Sequence, residues 1–377
     1  MAGVLFAMIH MNIKYLELNK ISESFQPQLS ERIQEVIRSG IYLNGNKLDV
    51  FEREFAEYTA NRYCIGTGNG YDALKVSLIA LKELNGWKDN DEVVVPSLTF
   101  IATALSVCNA GLKPVFCDVD ENGLMSVDNV EKVVNTHTRC IIPVHLYGKM
   151  CDVKSLRTYA DTNSLFVLED AAQCHGAVTE GIRPGNLSVA ATYSFYPAKN
   201  LGALADGGAI VTNNEYFAKI VRRIANYGSE KKYFHLTRGE NSRLDEINAS
   251  VLSLKLQRLD EDNRHRRIIA KKYSTEINNK LVIIPYNGDI DTSVFHIYPI
   301  RVNNRTIFQQ YMISHGVETA VHYPIACHKQ DAFSDYSHIK MPVAEQWSRE
   351  EVSLPISPHM SEFEADYIIK TINSYQK

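Results

Sequence analysis

The sequence predicts an α/β protein in which a mostly parallel central sheet is flanked by helices. Two observations lead to this prediction. Short apolar runs rich in β-branched residues alternate with segments of helical periodicity, as where the run 91–96 precedes the helical pattern 99–110. The runs are apolar throughout, which is typical of parallel strands buried on both faces. Beyond about residue 245 the pattern changes, and we expect a smaller C-terminal α+β domain there.

Composition excludes several classes of function. The 377 residues are 45% hydrophobic and 22% charged, as in a globular protein of two or three domains. A net charge of −4 argues against nucleic-acid binding, and no apolar run reaches the roughly 18 residues of a membrane helix. The apolar opening, 1–11, lacks the basic residues and cleavage site of a signal peptide. The seven cysteines contain no CxxC pair, so we expect neither disulfides nor a metal site, and a cytoplasmic location.

The elements follow from periodicity and from helix-breaking residues. Helical spacing covers 20–38, but Pro27 lies inside it and predicts that the regular helix begins after that residue. A second helix is expected at 46–59. Seven strands are then predicted, at 63–66, 91–96, 114–119, 140–144, 165–170, 191–195 and 208–212. Helices are predicted between them at 72–84, 99–110, 128–134 and 153–162.

The C-terminal third begins with a long, highly charged helical pattern at 247–275. Further strands are expected at 295–302 and 319–323, and further helices at 307–315 and 361–375. Ser361 is the expected N-cap of the last helix, with Glu364 three residues on. We place the domain boundary along the long helix, with a large domain at 1–255 and a small one at 256–377.

The loops that follow the predicted strands are the expected place for a ligand. Lys199 lies in one of them, after the run 191–195. A single loop lysine is usually a solvated charge, but Tyr196, Pro197 and the glycine-rich stretch 202–208 indicate that this one is held in place. A desolvated lysine has a lowered pKa and can form a Schiff base with a carbonyl group.

A second loop begins at Asp170, at the end of the strand 165–170. Two interpretations are equally compatible with this position. The carboxylate could cap the next helix, or it could pair with a cationic ring nitrogen. In the second case Gln173 would lie near the phenolic oxygen of the same ring.

A third loop, 66–72, is rich in glycine and precedes a helix. Backbone N–H groups at such a helix start bind anions, and Ser194 could add a hydroxyl. Tyr71 stands where a dinucleotide fingerprint needs its third glycine, so the loop predicts a phosphate site without a nucleotide code. Phe100, after the strand 91–96, is either a core residue or a ring stacked on a cofactor.

A lysine, an aspartate, a phosphate site and an aromatic ring are together what pyridoxal phosphate requires. In these residues and in five sequence motifs, the chain resembles the sugar aminotransferases of the DegT/DnrJ/StrS family. These are fold type I pyridoxal-phosphate enzymes. The likeness extends from residue 42 to residue 356. The motifs are EDAAQ (169–173), SFYPAKNLG (194–202), DGG (206–208), RLDEINA (243–249) and HYP (322–324).

The resemblance implies that Lys199 forms the Schiff base with the cofactor and that Asp170 pairs with the pyridine nitrogen. It implies further cofactor contacts by Gly70, Tyr71, Asp72, Phe100, Gln173 and Ser194. It also implies a homodimer with active sites at the interface, in which Asn241 binds the phosphate of the neighbour's cofactor. His322, Tyr323 and Arg243 are expected near the sugar nucleotide. Many members carry threonine at the position of Tyr71, so we assign that phosphate contact to backbone N–H groups.

The substrate is also implied by the resemblance. The stretch 66–74 (GTGNGYDAL) is most similar to the subgroup that acts on dTDP-3-keto-6-deoxyhexoses. The amino group would come from L-glutamate, through the pyridoxamine form of the cofactor, and the galactose configuration of the product is favoured over glucose. Two alternatives stay open, a dTDP- or UDP-4-keto-6-deoxyhexose 4-aminotransferase and a non-catalytic regulatory protein that binds the cofactor. Related dehydratases replace the lysine with histidine, so Lys199 favours the aminotransferases.

Overall fold

The computed structural model describes residues 11–285 and 290–376. The signal-peptide prediction concerned residues 1–11, and all of these except residue 11 lie outside the described residues. Within the described range, no helix combines the length and the apolar character needed to cross a membrane.

A seven-stranded sheet forms the centre of the protein. Its strands are β1 (Tyr63–Thr67), β2 (Glu92–Pro96), β3 (Lys113–Cys117), β4 (Thr138–Ile141), β5 (Phe166–Asp170), β6 (Ala190–Ser194) and β7 (Gly208–Thr212). They lie in the order β1-β7-β6-β5-β4-β2-β3. All neighbours are parallel except the two pairs that β7 forms with β1 and β6. Each strand overlaps a predicted one, so the mostly parallel sheet is confirmed.

Helices precede the sheet and cover its faces. They are α1 (Leu18–Glu23), α2 (Gln28–Ser39), α3 (Asn46–Tyr58), α4 (Gly70–Asn85), α5 (Ala102–Asn109), α6 (Val127–Glu131), α7 (Val153–Thr162), α8 (Glu215–Ala225) and α9 (Glu246–Leu256). The predicted break at Pro27 is confirmed, because α1 ends before this residue and α2 begins after it. Gly40, in the left-handed conformation (φ 66°), ends α2.

Helix α8 does not appear among the elements predicted from sequence, although the sequence carries its signals. Asn214 caps it by accepting hydrogen bonds from the N–H groups of Tyr216 and Phe217 at 3.0 and 3.1 Å. Buried side chains recur with helical spacing from Phe217 through Ile220 to Ile224. The helix was therefore recognisable from its cap and its apolar face.

A short hairpin follows α8, formed by β8 (Ser229–Lys231) and β9 (Phe234–His235). It carries large apolar side chains on its surface, with 80% of Tyr233 exposed. We call this group the hairpin patch; its members are Tyr227, Tyr233, Phe234 and Leu236.

The C-terminal part is an α+β unit around a three-stranded antiparallel sheet. Its elements are α10 (Leu259–Glu276), β10 (Val282–Ile283), β11 (Tyr298–Val302), α11 (Arg305–Ser314), α12 (Pro342–Glu350), β12 (Glu351–Leu354) and α13 (Glu362–Asn373). Helix α12 and strand β12 were not predicted. Ser361 caps α13 and Glu364 bonds back to the Ser361 N–H, so the predicted capping box is confirmed.

The long helix predicted at 247–275 is two helices, because the chain breaks between α9 and α10. At the break, the guanidinium of Arg258 lies 3.6 Å from the ring centre of Phe25 and donates to the Ser24 carbonyl. Helix α9 packs on α2 and α3, whereas α10 packs on α13. The predicted domain boundary at 255/256 lies beside this break and stays a prediction.

The predicted strand 319–323 is wrong. Among the described residues, this segment forms one bridge, between Ala320 and Ser353 of β12. The N–H of His322 then donates to the carboxylate of Glu351 at 2.7 Å. Because a side chain takes this donor, the segment leaves the sheet at His322.

Candidate active site

Lys199 lies in the loop after β6, at the carboxyl end of the parallel strands. Its N–H donates to the Tyr196 carbonyl at 2.8 Å, and the side chain of Asn200 donates to the Val294 carbonyl at 2.9 Å. Burial lowers the pKa of Lys199 to about 8, although the carboxylate of Asp170 acts in the opposite direction. The lowered pKa increases the fraction of neutral amine, the form that attacks a carbonyl, near neutral pH.

Asp170 is buried at the end of β5. Its Oδ2 accepts a hydrogen bond from the Thr103 hydroxyl at 2.9 Å, and its Oδ1 accepts one from the Ala172 N–H at 3.1 Å. Burial raises the pKa of Asp170, and both hydrogen bonds and Lys199 oppose that rise. The bonds stabilise the carboxylate, which is the form required opposite a cationic ring nitrogen.

A buried pair lies directly behind Asp170. The N–H of His145 donates to the Asp170 carbonyl at 3.0 Å. The Cys151 N–H donates to Nδ1 of His145, so the proton of the imidazole is on Nε2, which donates to Glu169 at 2.7 Å. Glu169 also accepts from the Gly185 N–H at 2.8 Å. Sequence reasoning did not find His145, since no local pattern joins it to Glu169.

Gln173 has a fixed orientation. Its Oε1 accepts a hydrogen bond from the Tyr147 N–H at 2.6 Å, and its Nε2 donates to the Tyr323 hydroxyl at 3.0 Å. The ring of Tyr323 lies 5.5 Å from that of Phe100. Phe100 is 54% exposed, which excludes the core alternative for this residue. The structure thus brings Phe100, Gln173 and Tyr323 together.

The start of α4 lies against the end of β6. A Cβ atom at Gly70 would come within 2.6 Å of the Cβ of Ser194, so this approach requires glycine. Asn69 caps the helix by accepting from the Asp72 N–H at 2.7 Å. The N–H groups of Gly70 and Tyr71 lie in the first turn, where the helix supplies no acceptor. They lie beside Ser194, and the anion site predicted at this helix start stays a prediction.

The side chain of Asp72 points to a different role. Its Oδ1 pairs with Lys75 at 3.3 Å, and Lys75 also contacts Glu240 at 3.1 Å. The ammonium of Lys75 lies 5.6 Å from the ring centre of Tyr71. Asp72 therefore holds a cation beside the anion site, and its predicted phosphate contact stays a prediction.

Asn241 and Arg243 lie on a segment beside the glycine-rich loop. The hydroxyl between them, that of Ser242, accepts a hydrogen bond from the Gly68 N–H at 2.9 Å. Asn241 is exposed. Arg243 lies 5.7 Å from the ring of Tyr227 in the hairpin patch. The predicted contact of Asn241 with a neighbour's cofactor stays a prediction.

His322 is held by hydrogen bonds at three atoms. Its carbonyl accepts from the Tyr147 hydroxyl, its N–H donates to Glu351, and its Nδ1 lies 2.7 Å from the Ser353 hydroxyl. Burial lowers the pKa of His322 to about 4, and the Lys199 ammonium acts in the same direction. The imidazole is therefore neutral at physiological pH.

Two further histidines near Lys199 were not found from sequence. Nδ1 of His296 lies 3.2 Å from Oδ1 of Asn200, and burial, with Lys199, lowers the pKa of His296 well below its usual value. His175 packs against Tyr193, and neither of its ring nitrogens has a hydrogen-bond partner among the described residues. Burial, with Lys199, also lowers the pKa of His175 to about 3. Both imidazoles are therefore neutral, and the surroundings of Lys199 disfavour additional positive charge.

These residues fit pyridoxal phosphate. Lys199 has the lowered pKa of a Schiff-base lysine, and Asp170 is a buried carboxylate stabilised in its ionised form. Phe100 presents an exposed ring, and Gly70 provides a space beside Ser194 that any Cβ would fill. The sequence had predicted all four, and the structure places them at the carboxyl ends of β1, β2, β5 and β6.

The comparisons with known proteins agree with this chemistry. The family model described as the DegT/DnrJ/EryC1/StrS aminotransferase family matches residues 24–373. A dTDP-3-amino-3,6-dideoxy-alpha-D-galactopyranose transaminase of Aneurinibacillus thermoaerophilus is 43% identical, over 96% of this chain and 99% of the relative. The erythromycin biosynthesis sensory transduction protein EryC1 of Saccharopolyspora erythraea is 40% identical, over 97% of this chain and all of the relative.

A solved structure is similar over the same length. The crystal structure of S. venezuelae DesV in complex with a ketimine intermediate has a TM-score of 0.92 and 37% identity, covering 96% of this chain and 98% of DesV. The family depends on pyridoxal phosphate. The chain thus belongs to the DegT/DnrJ/EryC1/StrS aminotransferase family and is a pyridoxal-phosphate-dependent sugar aminotransferase.

Proposed function

We propose that the protein transfers an amino group from L-glutamate to C3 of a dTDP-3-keto-6-deoxyhexose. The product is a dTDP-3-amino-3,6-dideoxyhexose, with the galactose configuration favoured over glucose. One observation carries this proposal, the 43% identity over 96% of the chain to a relative whose name specifies that product. The chain's GTGNGYDAL stretch, 66–74, favours the same subgroup.

Lys199 has two roles in this proposal. When bound, the cofactor supplies an electron sink and carries the amino group from donor to acceptor. The neutral amine of Lys199 would attach the cofactor to the protein. After glutamate displaces this amine, Nζ of Lys199 accepts the proton of the donor's α-carbon. In the second half of the reaction Lys199 delivers a proton to C3 of the sugar. A pKa of about 8 suits a group that must both take and give a proton near neutral pH.

Other residues hold the cofactor. Asp170 faces the ring nitrogen as a carboxylate, because Thr103 and the Ala172 N–H stabilise its charge. Phe100 stacks on the ring, and Gln173 donates to its phenolic oxygen from an amide fixed by Tyr147. The phosphate is bound by the N–H groups at 70–71 and by Ser194, next to the Lys75 ammonium. Asp72 pairs with Lys75 and belongs with it to this proposed phosphate site.

The sugar nucleotide approaches from the C-terminal side. His322 and Tyr323 contact the sugar there, and Arg243 is the third residue that we propose to bind the substrate. His322 and Tyr323 follow the bridge between Ala320 and Ser353, which connects this segment to the C-terminal sheet.

We further propose a homodimer with active sites at its interface. The hairpin patch is an exposed apolar group near the segment that carries Asn241, and a second copy of the chain would cover it. Asn241 would then donate to the phosphate in the neighbouring site. The seven cysteines are unpaired, which is consistent with a cytoplasmic enzyme.

Two other functions remain as alternatives. A 4-aminotransferase for a dTDP- or UDP-4-keto-6-deoxyhexose would use the same residues and differ only in how the sugar is placed. A regulatory role is favoured only by the names of two relatives, one called a sensory transduction protein and one a pleiotropic regulatory protein. Lys199, with its lowered pKa beside Asp170, favours catalysis over that role.

The test separates the two half-reactions. The cofactor-loaded enzyme is treated with L-glutamate while the absorbance of the bound cofactor is followed, and excess donor is then removed. The dTDP-3-keto-6-deoxyhexose and its 4-keto isomer are added separately. We expect the starting spectrum to return with the 3-keto sugar alone, and product analysis then identifies the C4 configuration.

The other outcomes distinguish the alternatives. Recovery with the 4-keto sugar alone would overturn the proposed regiochemistry and leave the aminotransferase mechanism intact. A spectrum that glutamate does not change would favour the regulatory function.

A further inference from the structure

We propose that Glu351 and Ser353 form a proton relay to His322, so that a proton taken up at Nε2 of His322 comes to rest on the carboxyl group of Glu351. Glu351 and Ser353 are positioning residues, since they act through His322. Contact between His322 and the sugar rests on the proposed function, whereas the relay itself does not depend on which sugar is bound.

The relay follows from the geometry of β12. Residues two apart in a strand share one face, so Glu351 and Ser353 project to the same side. The bridge between Ser353 and Ala320 brings the chain alongside β12, and His322, two residues further on, lies over that face. Two side chains of β12 and one from the segment after Ala320 thus form one line.

The line is continuous at hydrogen-bond distances. Oε1 of Glu351 lies 2.5 Å from the Ser353 hydroxyl, which lies 2.7 Å from Nδ1 of His322. Oε2 of Glu351 accepts the N–H of His322 at 2.7 Å, which fixes the carboxyl group at its other oxygen. A hydroxyl both donates and accepts, so Ser353 can conduct a proton in either direction.

The groups around the line disfavour a charged imidazolium at His322 together with a charged carboxylate at Glu351. Glu351 and Ser353 are both fully buried. Burial raises the pKa of Glu351 to about 8, against the hydrogen bonds of Ser353 and the His322 N–H and against the more distant Arg305. Tyr15 lies beside His322, and its hydroxyl interacts with Ser353; it stays protonated because burial raises its pKa. His296 and Arg266 lie on the same side, and burial keeps His296 neutral by lowering its pKa. On the side of the active site, Lys199 and burial oppose an imidazolium at His322.

Proton movement along the line avoids that imidazolium. With Glu351 ionised, Nδ1 of His322 is protonated and donates to Ser353, Ser353 donates to Glu351, and Nε2 accepts from a ligand. When Nε2 gains a proton, the Nδ1 proton passes to Ser353 and the Ser353 proton passes to Glu351. One proton has entered, the imidazole is again neutral, and Nε2 is now a donor. His322 can therefore act as a base and as an acid while remaining uncharged.

The test is a ¹⁵N NMR titration of the histidine side chains in the cofactor-loaded enzyme without sugar. The His322 signals are assigned by their loss in His322→Asn. We expect His322 to change from the Nε2–H to the Nδ1–H tautomer as the pH rises, without a doubly protonated stage. Glu351→Gln keeps hydrogen-bonding atoms but cannot ionise, and we expect it to hold the Nε2–H tautomer at every pH.

Two serine variants complete the design. Ser353→Ala interrupts the line and should abolish the pH-dependent tautomer change, while Ser353→Thr keeps the hydroxyl and should restore it. Ser274→Ala is the matched control, because it removes another buried hydroxyl of the C-terminal part, bonded to Tyr298, and should titrate like wild type. A single tautomer at every pH in wild type, a titrating imidazolium, or the same tautomer change in Glu351→Gln would each overturn the relay. None of these results would bear on the 3-keto assignment, because that assignment is tested by adding the keto sugars and following the cofactor spectrum.

Discussion

At the scale of single residues, two opposite charges determine the chemistry at the ends of β5 and β6. Burial acts on both, lowering the pKa of Lys199 to about 8 and raising that of Asp170. The attraction between the two charges opposes both pKa shifts. The Thr103 hydroxyl also donates a hydrogen bond to Asp170, which stabilises the carboxylate form. The balance leaves a reactive amine beside a carboxylate that can stay charged.

This balance predicts how Asp170→Asn changes the pH dependence of cofactor capture. Without the carboxylate, burial of Lys199 is opposed less, so its pKa should fall below about 8. Only the neutral amine attacks an aldehyde, so capture of pyridoxal phosphate by the cofactor-free protein should accelerate with pH and level off above the Lys199 pKa. In Asp170→Asn the levelling should occur at lower pH. The rates are followed by absorbance, and each is divided by the rate of N-acetyl-lysine at the same pH. The midpoint of the resulting pH dependence reports the pKa of Lys199.

Asp161→Asn is the control for this experiment, because Asp161 is an exposed carboxylate on α7 that pairs with Arg157. Its midpoint should match wild type. An unchanged or higher midpoint in Asp170→Asn would mean that Asp170 does not set the charge of Lys199.

At the scale of elements, the start of α4 determines how closely an anion can approach the sheet. Gly70→Ala should push this helix start away from β6, since the new Cβ would lie 2.6 Å from the Cβ of Ser194. We expect the affinity for pyridoxal phosphate to fall by about tenfold or more, which corresponds to roughly 1.4 kcal/mol. Equilibrium titration of the cofactor absorbance measures the loss.

Ser77→Ala is the matched variant in the same helix. Ser77 is buried, and its hydroxyl has no hydrogen-bond partner among the described residues, so its loss should leave cofactor affinity unchanged. Thermal unfolding of the cofactor-free proteins distinguishes a local effect from a general loss of stability. Wild-type affinity in Gly70→Ala would contradict the assignment of the anion site to this helix start.

The elements also indicate which features a sequence can predict. The sheet strands are local apolar runs, and all seven were recognised. The break between α9 and α10 involves a contact between Arg258 and Phe25, which are far apart in the chain. The mistaken strand at 319–323 has a similar cause, because the Glu351 carboxylate that takes the His322 N–H comes from β12.

The same limit applies to the site. Asp170 ends a buried strand, and Gly70 and Lys199 lie in loops that follow two others, so position marked these loops. The family resemblance then supplied the roles of the three residues. Thr103 and His145 support Asp170 through contacts between separate elements, and no local pattern announces them. Sequence reasoning therefore named the groups that we propose to face the cofactor, and it missed the groups that orient them.

At the scale of the whole molecule, residues near the start of the described chain contact the segment that carries His322. The Ile13 N–H donates to the Gly316 carbonyl at 2.7 Å, and Tyr15 lies beside His322. The segment that carries His322 is thereby held from both the N-terminal residues and β12. The site draws on residues from 70 to 323, and the homodimer proposal adds Asn241 from a second copy.

The dimer proposal makes a quantitative prediction for two inactive variants. Lys199→Ala removes the reactive amine, and Asn241→Asp places a negative charge against the phosphate, so each homodimer should be inactive. If Asn241 acts on the neighbour's cofactor, a mixed dimer contains one site with both native residues. Random pairing of co-expressed subunits makes half of the dimers mixed, so about a quarter of wild-type activity should return. If Asn241 served its own subunit, neither site of a mixed dimer would be intact, and activity would remain at the level of the separate variants.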